Sequence, residues 1–277
     1  ASAALRGMNS AVLWSPFFIS FAIGVAYLEP DYALGAIGLG LITSLFFFII
    51  SASLSAPKSA KFSFFESLKP LRPVWRRVLV GIGSVIAVSA ITGLTALYAV
   101  VVTMPILCLV QMFRRPETAK EIFYNFGQLQ QQTGGDLVII SVSMIVSVLA
   151  QNSYVLPEIT KFVFEGTLEI WQIIWVLPAL VWFCSIFGVH PVISSAPLLA
   201  LFSSHLTAFE SMFVMQAHMI GWSTGTMSSI SSMSVITVAE QFRLRPAQLA
   251  FGPNMIASGG LAIFGGGFWA FIYCLLN

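Results

Sequence analysis

The sequence predicts an all-α, polytopic transmembrane bundle with broken helices and a re-entrant hairpin, and three observations carry that prediction. Only 9% of the 277 residues are charged while 57% are hydrophobic, and the mean hydropathy is +0.89. A soluble domain carries about 25% charged residues to coat its surface, so a soluble enzyme, a nucleic-acid binder and a disordered scaffold are excluded. Second, apolar runs recur near the length of about 20 residues that a helix needs to cross a bilayer. Third, none of these runs shows the period-two alternation of a barrel strand, which leaves helices as the spanning element.

The apolar runs cover residues 13–28, 33–54, 78–110, 137–151, 171–202, 213–238 and 251–276. The run 78–110 would be roughly 50 Å long as one helix. It is overlong for one upright span and short for two, so a tilted helix, or one broken near Thr103-Met104-Pro105, is expected. The run 137–151 is short and is followed by Asn152, Ser153 and Pro157, the pattern of a re-entrant hairpin with a polar tip. In 171–202, His190-Pro191 divides an overlong segment. Short, overlong and interrupted hydrophobic segments mark the discontinuous helices of secondary transporters.

Residues 57–77 hold six of the thirteen basic residues (Lys58, Lys61, Lys69, Arg72, Arg76 and Arg77) against the single acid Glu66. This loop is cytoplasmic by the positive-inside rule. Its interleaved Phe62, Phe64, Phe65, Leu68, Leu71 and Trp75 lay it along the bilayer surface, where lipid headgroups rather than nucleic acid are its partner. With no linker dividing the chain, residues 1–277 read as one transmembrane domain containing that interfacial segment. The opening Ala-Ser-Ala-Ala-Leu-Arg reads as a trimmed or partial chain. Cys108, Cys184 and Cys274 stand singly in apolar runs, without disulfide or zinc spacing.

Four polar constellations interrupt the apolar runs. Asn9-Ser10 precedes Trp14-Ser15-Pro16, where proline frees a backbone carbonyl; a plain helix start is the alternative. Asn152 and Ser153 occupy the expected hairpin tip, where carboxamides and helix ends suit an anion or a sodium ion. The stretch 188–197 combines His190, Ser194 and Ser195 with two prolines and predicts an unwound segment. An ionisable histidine at that depth is a functional candidate, although it also suits the backbone groups that the prolines free.

The fourth constellation runs through Gln216, His218 and Gly221-Trp222-Ser223-Thr224-Gly225-Thr226 to the serines up to Ser234. Close packing by Gly221 and Gly225 explains the glycines. A broken, hydroxyl-lined helix facing a cavity also explains Ser223, Thr224 and Thr226. With no acid inside a confident span, the ion suited to this stretch is sodium held by Ser223, Thr224 and Thr226, or a proton on His190 or His218. No other metal and no cofactor is expected. Helix ends and hydroxyls are congenial to an anionic substrate.

Gly221-Trp222-Ser223-Thr224-Gly225-Thr226-Met227 resembles the Gly/Ser/Thr-rich broken-helix motif of the ion-transporter superfamily. That group includes sodium:proton antiporters, divalent-anion:sodium symporters, citrate and gluconate permeases and TRAP large subunits. Gly188-Val189-His190-Pro191 is similar in style to a break in permeases of that group, and Asn152-Ser153 resembles the Ser-Asn hairpin-tip motifs of the divalent-anion symporters. The resemblance spans roughly residues 137–260. It implies inverted repeats, each with a re-entrant hairpin and a broken helix, moving as an elevator.

The expectation is a multi-pass carrier in the cell membrane, of the bacterial inner-membrane kind. It would move a small carboxylate-type solute coupled to sodium or protons. Its site would be lined by Asn152, Ser153, His190, Ser194, Ser195, Ser223, Thr224, Gly225 and Thr226. Its partners would be the lipid bilayer, the solute or ion and either a second copy or another membrane subunit, with no nucleic acid. Two other readings compete. A non-catalytic membrane subunit would use Gly259-Gly260 and Gly265-Gly266-Gly267 for helix packing. An intramembrane serine hydrolase would use the G-x-S-x-G pattern at 221–225 with His218 or His190 as base.

Overall fold

The computed structural model describes residues 1–28, 33–55, 75–94, 96–114, 168–203 and 206–277, with scattered positions between 117 and 158. Most of the expected hairpin at 137–151, its tip at Asn152 and Ser153, and most of the basic segment 57–77 lie outside the described residues. Among the described residues every regular element is helical. Among the described residues one helix, Pro253–Leu276, is long and apolar enough to cross a membrane, accompanied by shorter apolar helices. By contacts the chain divides into two compact units. One unit comprises Ala1–Ser55 with Val138–Asn277, and the other Ala56–Leu137.

The smaller unit contains α4 (Trp75–Thr92) and α5 (Ala96–Arg114), packed against each other. The run 78–110 therefore breaks at Gly93-Leu94 rather than near Pro105, which sits inside α5. Gly93 adopts φ +69°, the left-handed conformation that commonly follows a helix C-terminus. Ser89 and Thr92 close the turn, Ser89 Oγ donating to Leu94 O at 2.7 Å and Leu94 N donating to Thr92 Oγ1 at 3.3 Å.

The larger unit begins with α1 (Ser2–Val12), α2 (Ile19–Tyr27) and α3 (Ala33–Ser55). The run 13–28 is not one helix. Pro16 disfavours helical backbone at Ser15, and residues 13–18 form an irregular link between α1 and the nine-residue α2. There follow α6 (Ile170–Ile186), α7 (Pro191–Phe202), α8 (Ala208–Ser228), α9 (Met233–Gln241) and α10 (Pro246–Ala250). The last helix consists of α11 (Pro253–Gly260), a π turn (Leu261–Gly265) and α12 (Gly266–Leu276). Trp175 Nε1 donates to Ile263 O within the π turn at 3.1 Å.

The axis of this unit is α8. It starts at a capping box, in which Glu210 N donates to Thr207 Oγ1 and Thr207 N to the Glu210 carboxylate. Every residue from Phe213 to Gly225 is buried, because α1, α2, α3, α6, α7, α9, α11 and α12 all pack against it. A helix covered on all sides normally has apolar residues all round, yet this one carries Gln216, His218, Ser223 and Thr224. Glycines set its distance from α6 and α7. A Cβ on Gly221 would lie 3.1 Å from Pro178 Cα, and one on Gly225 would lie 2.6 Å from Ser185 Oγ and 3.0 Å from Pro191 Cγ.

Candidate functional site

The break between α6 and α7 is built by local chemistry. Gly188, at φ +81°, turns the chain out of α6, with Gly188 N bonded to Ser185 O and Val189 N to Cys184 O. His190 then caps α7: its Nδ1 accepts from Val192 N at 3.3 Å, and Pro191 fills the first helical position. His190-Pro191 divides the segment as expected, but the unwound part is only 187–190. Ser194 and Ser195 lie inside α7, Ser194 Oγ bonded to Pro191 O at 3.2 Å and Ser195 Oγ buried without a hydrogen-bond partner.

The second break separates α8 from α9 at residues 229–232. Residues 221–226, where a break was expected, form continuous helix. The serines downstream explain why α8 ends where it does. Ser232 Oγ and Ser234 Oγ both donate to Thr226 O, which has lost its place in the helical ladder. Ser232 also caps α9 by accepting from Val235 N.

The two breaks meet. Ser231 Oγ donates to Gly188 O at 3.1 Å and lies 2.8 Å from Ser229 Oγ. The His190 and Trp222 rings stand edge to face, 6.0 Å between centroids, and Trp222 stands likewise 5.9 Å from His218. The junction thus combines the carbonyl ends of α6 and α8 with the N–H ends of α7 and α9. The former carry partial negative charge and the latter partial positive charge.

The expected site residues are brought together in part. His190 and Ser223–Thr226 surround one junction, with Ser194 and Ser195 one turn away along α7. Ser223 Oγ donates to Asn9 O at 2.9 Å, and Thr226 Oγ1 donates to Asn9 Oδ1, so both converge on α1. Thr224 Oγ1 turns back to Ile220 O at 2.8 Å in its own helix. Gly225 fits against Ser185 and Pro191. Ser223, Thr224 and Gly225 are packed in the core rather than lining an open cavity.

Asn9, Gly188, Ser231 and Ser232, which belong to the polar constellations but not to the expected site lining, also make the contacts of this junction. The available signal for Asn9 was its spacing from Arg6, which puts both on one face of a helix. Other polar side chains tie the helices around α8. His218 Nε2 faces Ser20 O at 2.9 Å and therefore carries the proton, while His218 Nδ1, Ser20 Oγ and Gln216 Oε1 are buried without hydrogen-bond partners. Ser223 and His218 engage different carbonyls, an arrangement without the Ser–His hydrogen bond of a nucleophile and its base. Among the described residues no group of three or more His, Cys, Asp or Glu gathers to hold a metal ion.

Thr43 ties three helices. Its Oγ1 accepts from Gln216 Nε2 at 3.0 Å and from Trp269 Nε1 at 2.8 Å, and donates to Leu39 O at 2.9 Å. Thr43→Val keeps the shape but removes the acceptor for two buried N–H groups. The expected loss is roughly 2 kcal/mol, measured as a lower thermal midpoint of the purified protein; an unchanged midpoint refutes this role.

No protein-family model, curated protein or solved structure matches this chain.

Proposed function

We propose that the protein is a multi-pass secondary active transporter that moves a small anionic, carboxylate-type solute coupled to sodium or protons. The observation that carries this reading is the meeting of the 187–190 and 229–232 breaks, joined by Ser231 and Gly188. Opposed helix ends at one point supply N–H groups for a carboxylate and carbonyls for a cation without any buried acid. Two interrupted elements also supply the flexible joints that an elevator-type motion requires. Membrane spanning by more than the last helix is supported by the exposed apolar side chains of α3, α4 and α5, among them Leu45 at 61%, Ile91 at 83% and Val101 at 61% exposure. In water such surfaces drive association, whereas in lipid they are the expected exterior.

The subunit reading draws less support. Gly259 and Gly266 are occupied within the chain, since a Cβ at either would meet Trp182 or Pro178 at 2.6 and 2.8 Å. The test is the thermal midpoint of the purified protein across a sodium titration, with and without a panel of small carboxylates. A sodium-dependent rise that one carboxylate enlarges is expected. A ligand at 100 times its Kd contributes about 2.7 kcal/mol. His190→Ala and Ser231→Ala should abolish the carboxylate increment while remaining monodisperse. A wild-type response flat to every salt and acid refutes sodium-coupled carboxylate transport, and full responses in both variants remove the junction from the site.

A further inference from the structure

Between α3 and the last helix lies a cleft of about 410 Å³, walled by Thr43, Phe46 and Ile50 on one side and Gly260, Phe264 and Trp269 on the other. Its volume is within the range of small-ligand pockets, about 300–1,000 Å³. A helix about 10 Å across with its side chains is too large to enter it. Its chemistry is equally restrictive. A threonine hydroxyl has one hydrogen to donate and two lone pairs, and Thr43 uses all three on Leu39, Gln216 and Trp269. The Trp269 N–H is committed to the same oxygen, so the side chains that wall the cleft offer an occupant no free polar group.

The π turn shapes the cleft. Gly260, immediately before it, faces open space: a Cβ there would meet nothing within 4 Å. The rim is formed by Phe46, Ile50, Ile256 and Phe264, each more than half exposed. These side chains join the cleft to the apolar exterior. An occupant must be slender, wholly apolar and supplied from that exterior.

We propose that this groove seats one acyl chain of a bilayer phospholipid, wedged between α3 and the π turn. The proposal rests on the membrane part of the function proposed above and is independent of what is transported. The chain lies against Trp269 and thereby braces the Thr43 node that ties α3 and α12 to α8.

The test uses tryptophan emission from the whole protein reconstituted in phosphatidylcholine vesicles, with and without bromine in mid-chain. Bromine quenches indoles that it touches, and the Trp269 contribution is the difference between wild type and Trp269→Phe. Trp269 is only 4% exposed, so quenching requires a chain inside the cleft. The expected result is loss of Trp269 emission in brominated vesicles, and its recovery in Gly260→Leu, whose side chain fills the cleft from its floor. Trp269 left unquenched in wild type overturns the proposal, whatever Gly260→Leu does. Trp269 protected in a protein that is dimeric assigns the groove to a second copy, which also overturns it. Equal quenching in wild type and Gly260→Leu does the same. A protein that fails to enter vesicles refutes the membrane reading and this proposal together, whereas one that reconstitutes unquenched refutes only the groove.

Discussion

Gly40→Ala is expected to lower stability by more than about 3 kcal/mol, beyond the usual cost of over-packing. Gly40 lies where α3 crosses the irregular link between α1 and α2. A Cβ there would overlap Leu13 O and come within 2.7 Å of Trp14 Cα and 2.9 Å of Leu13 C. These are backbone atoms, so no rotamer change relieves the contact. The link would have to move off α3, taking with it the end of α1 that carries Asn9. Gly38→Ala on the same helix is the control. Nothing lies within 4 Å of its added methyl, and replacing glycine inside a helix should stabilise by about 0.5–1 kcal/mol. Thermal midpoints of the two purified variants should move in opposite directions. Equal shifts would show that the crossing at Gly40 relaxes freely.

The contrast between these two glycines shows what a sequence conceals. Both sit in one apolar run, and only the path of the 13–18 link distinguishes them. Breaks formed by a residue's own chemistry were legible: His190-Pro191 divides its segment because proline starts a helix well and the preceding histidine caps it. Breaks that depend on tertiary partners were not. Gly221 and Gly225 looked like a place for α8 to unwind, but they are spaces filled by Pro178, Ser185 and Pro191. The helix ends three residues later, where the hydroxyls of Ser232 and Ser234 donate to the freed carbonyl of Thr226.

Hydropathy also misjudged α1. Its inward face carries Arg6 and Asn9, which are 3% and 2% exposed, so the residues that make it part of the core lower its apolar score. Asn9-Ser10 stood out as a polar interruption, but nothing in the sequence tied it to the hydroxyls of α8. Ser223 and Thr226 are conspicuous as hydroxyls in an apolar run, whereas their shared partner Asn9 stands 214 and 217 positions away. At 103–105 the proline was overvalued as a breaker. Gly93, whose left-handed backbone turns α4 into α5, was the stronger signal.

Asn254→Leu should be the most damaging of the polar substitutions, at about 3 kcal/mol. Asn254 is fully buried at the start of α11. Its Oδ1 accepts from Arg6 Nε at 3.0 Å and its Nδ2 donates to Leu249 O at 2.8 Å. Arg6 also donates to Pro253 O at 3.1 Å, so the guanidinium pins α1 to the base of the last helix. Leucine fills the same volume but withdraws an acceptor from a buried cation and a donor from Leu249 O. Losing a hydrogen bond to a charged group is costlier than losing a neutral one. Arg6→Met removes the charge that needs the acceptor and should therefore be milder. Combining the two substitutions should recover part of the loss, so that the double variant is more stable than the sum of the single effects predicts. Additive midpoints in that cycle would show that Arg6 and Asn254 act independently. The consequence reaches the junction of the two breaks. Arg6 and Asn9 are three residues apart on α1, and Asn9 receives the hydroxyls of Ser223 and Thr226. Freeing Arg6 should thus weaken any carboxylate-dependent stabilisation in Asn254→Leu and restore it in the double variant, a recovery that a purely local packing defect at residue 254 would not give.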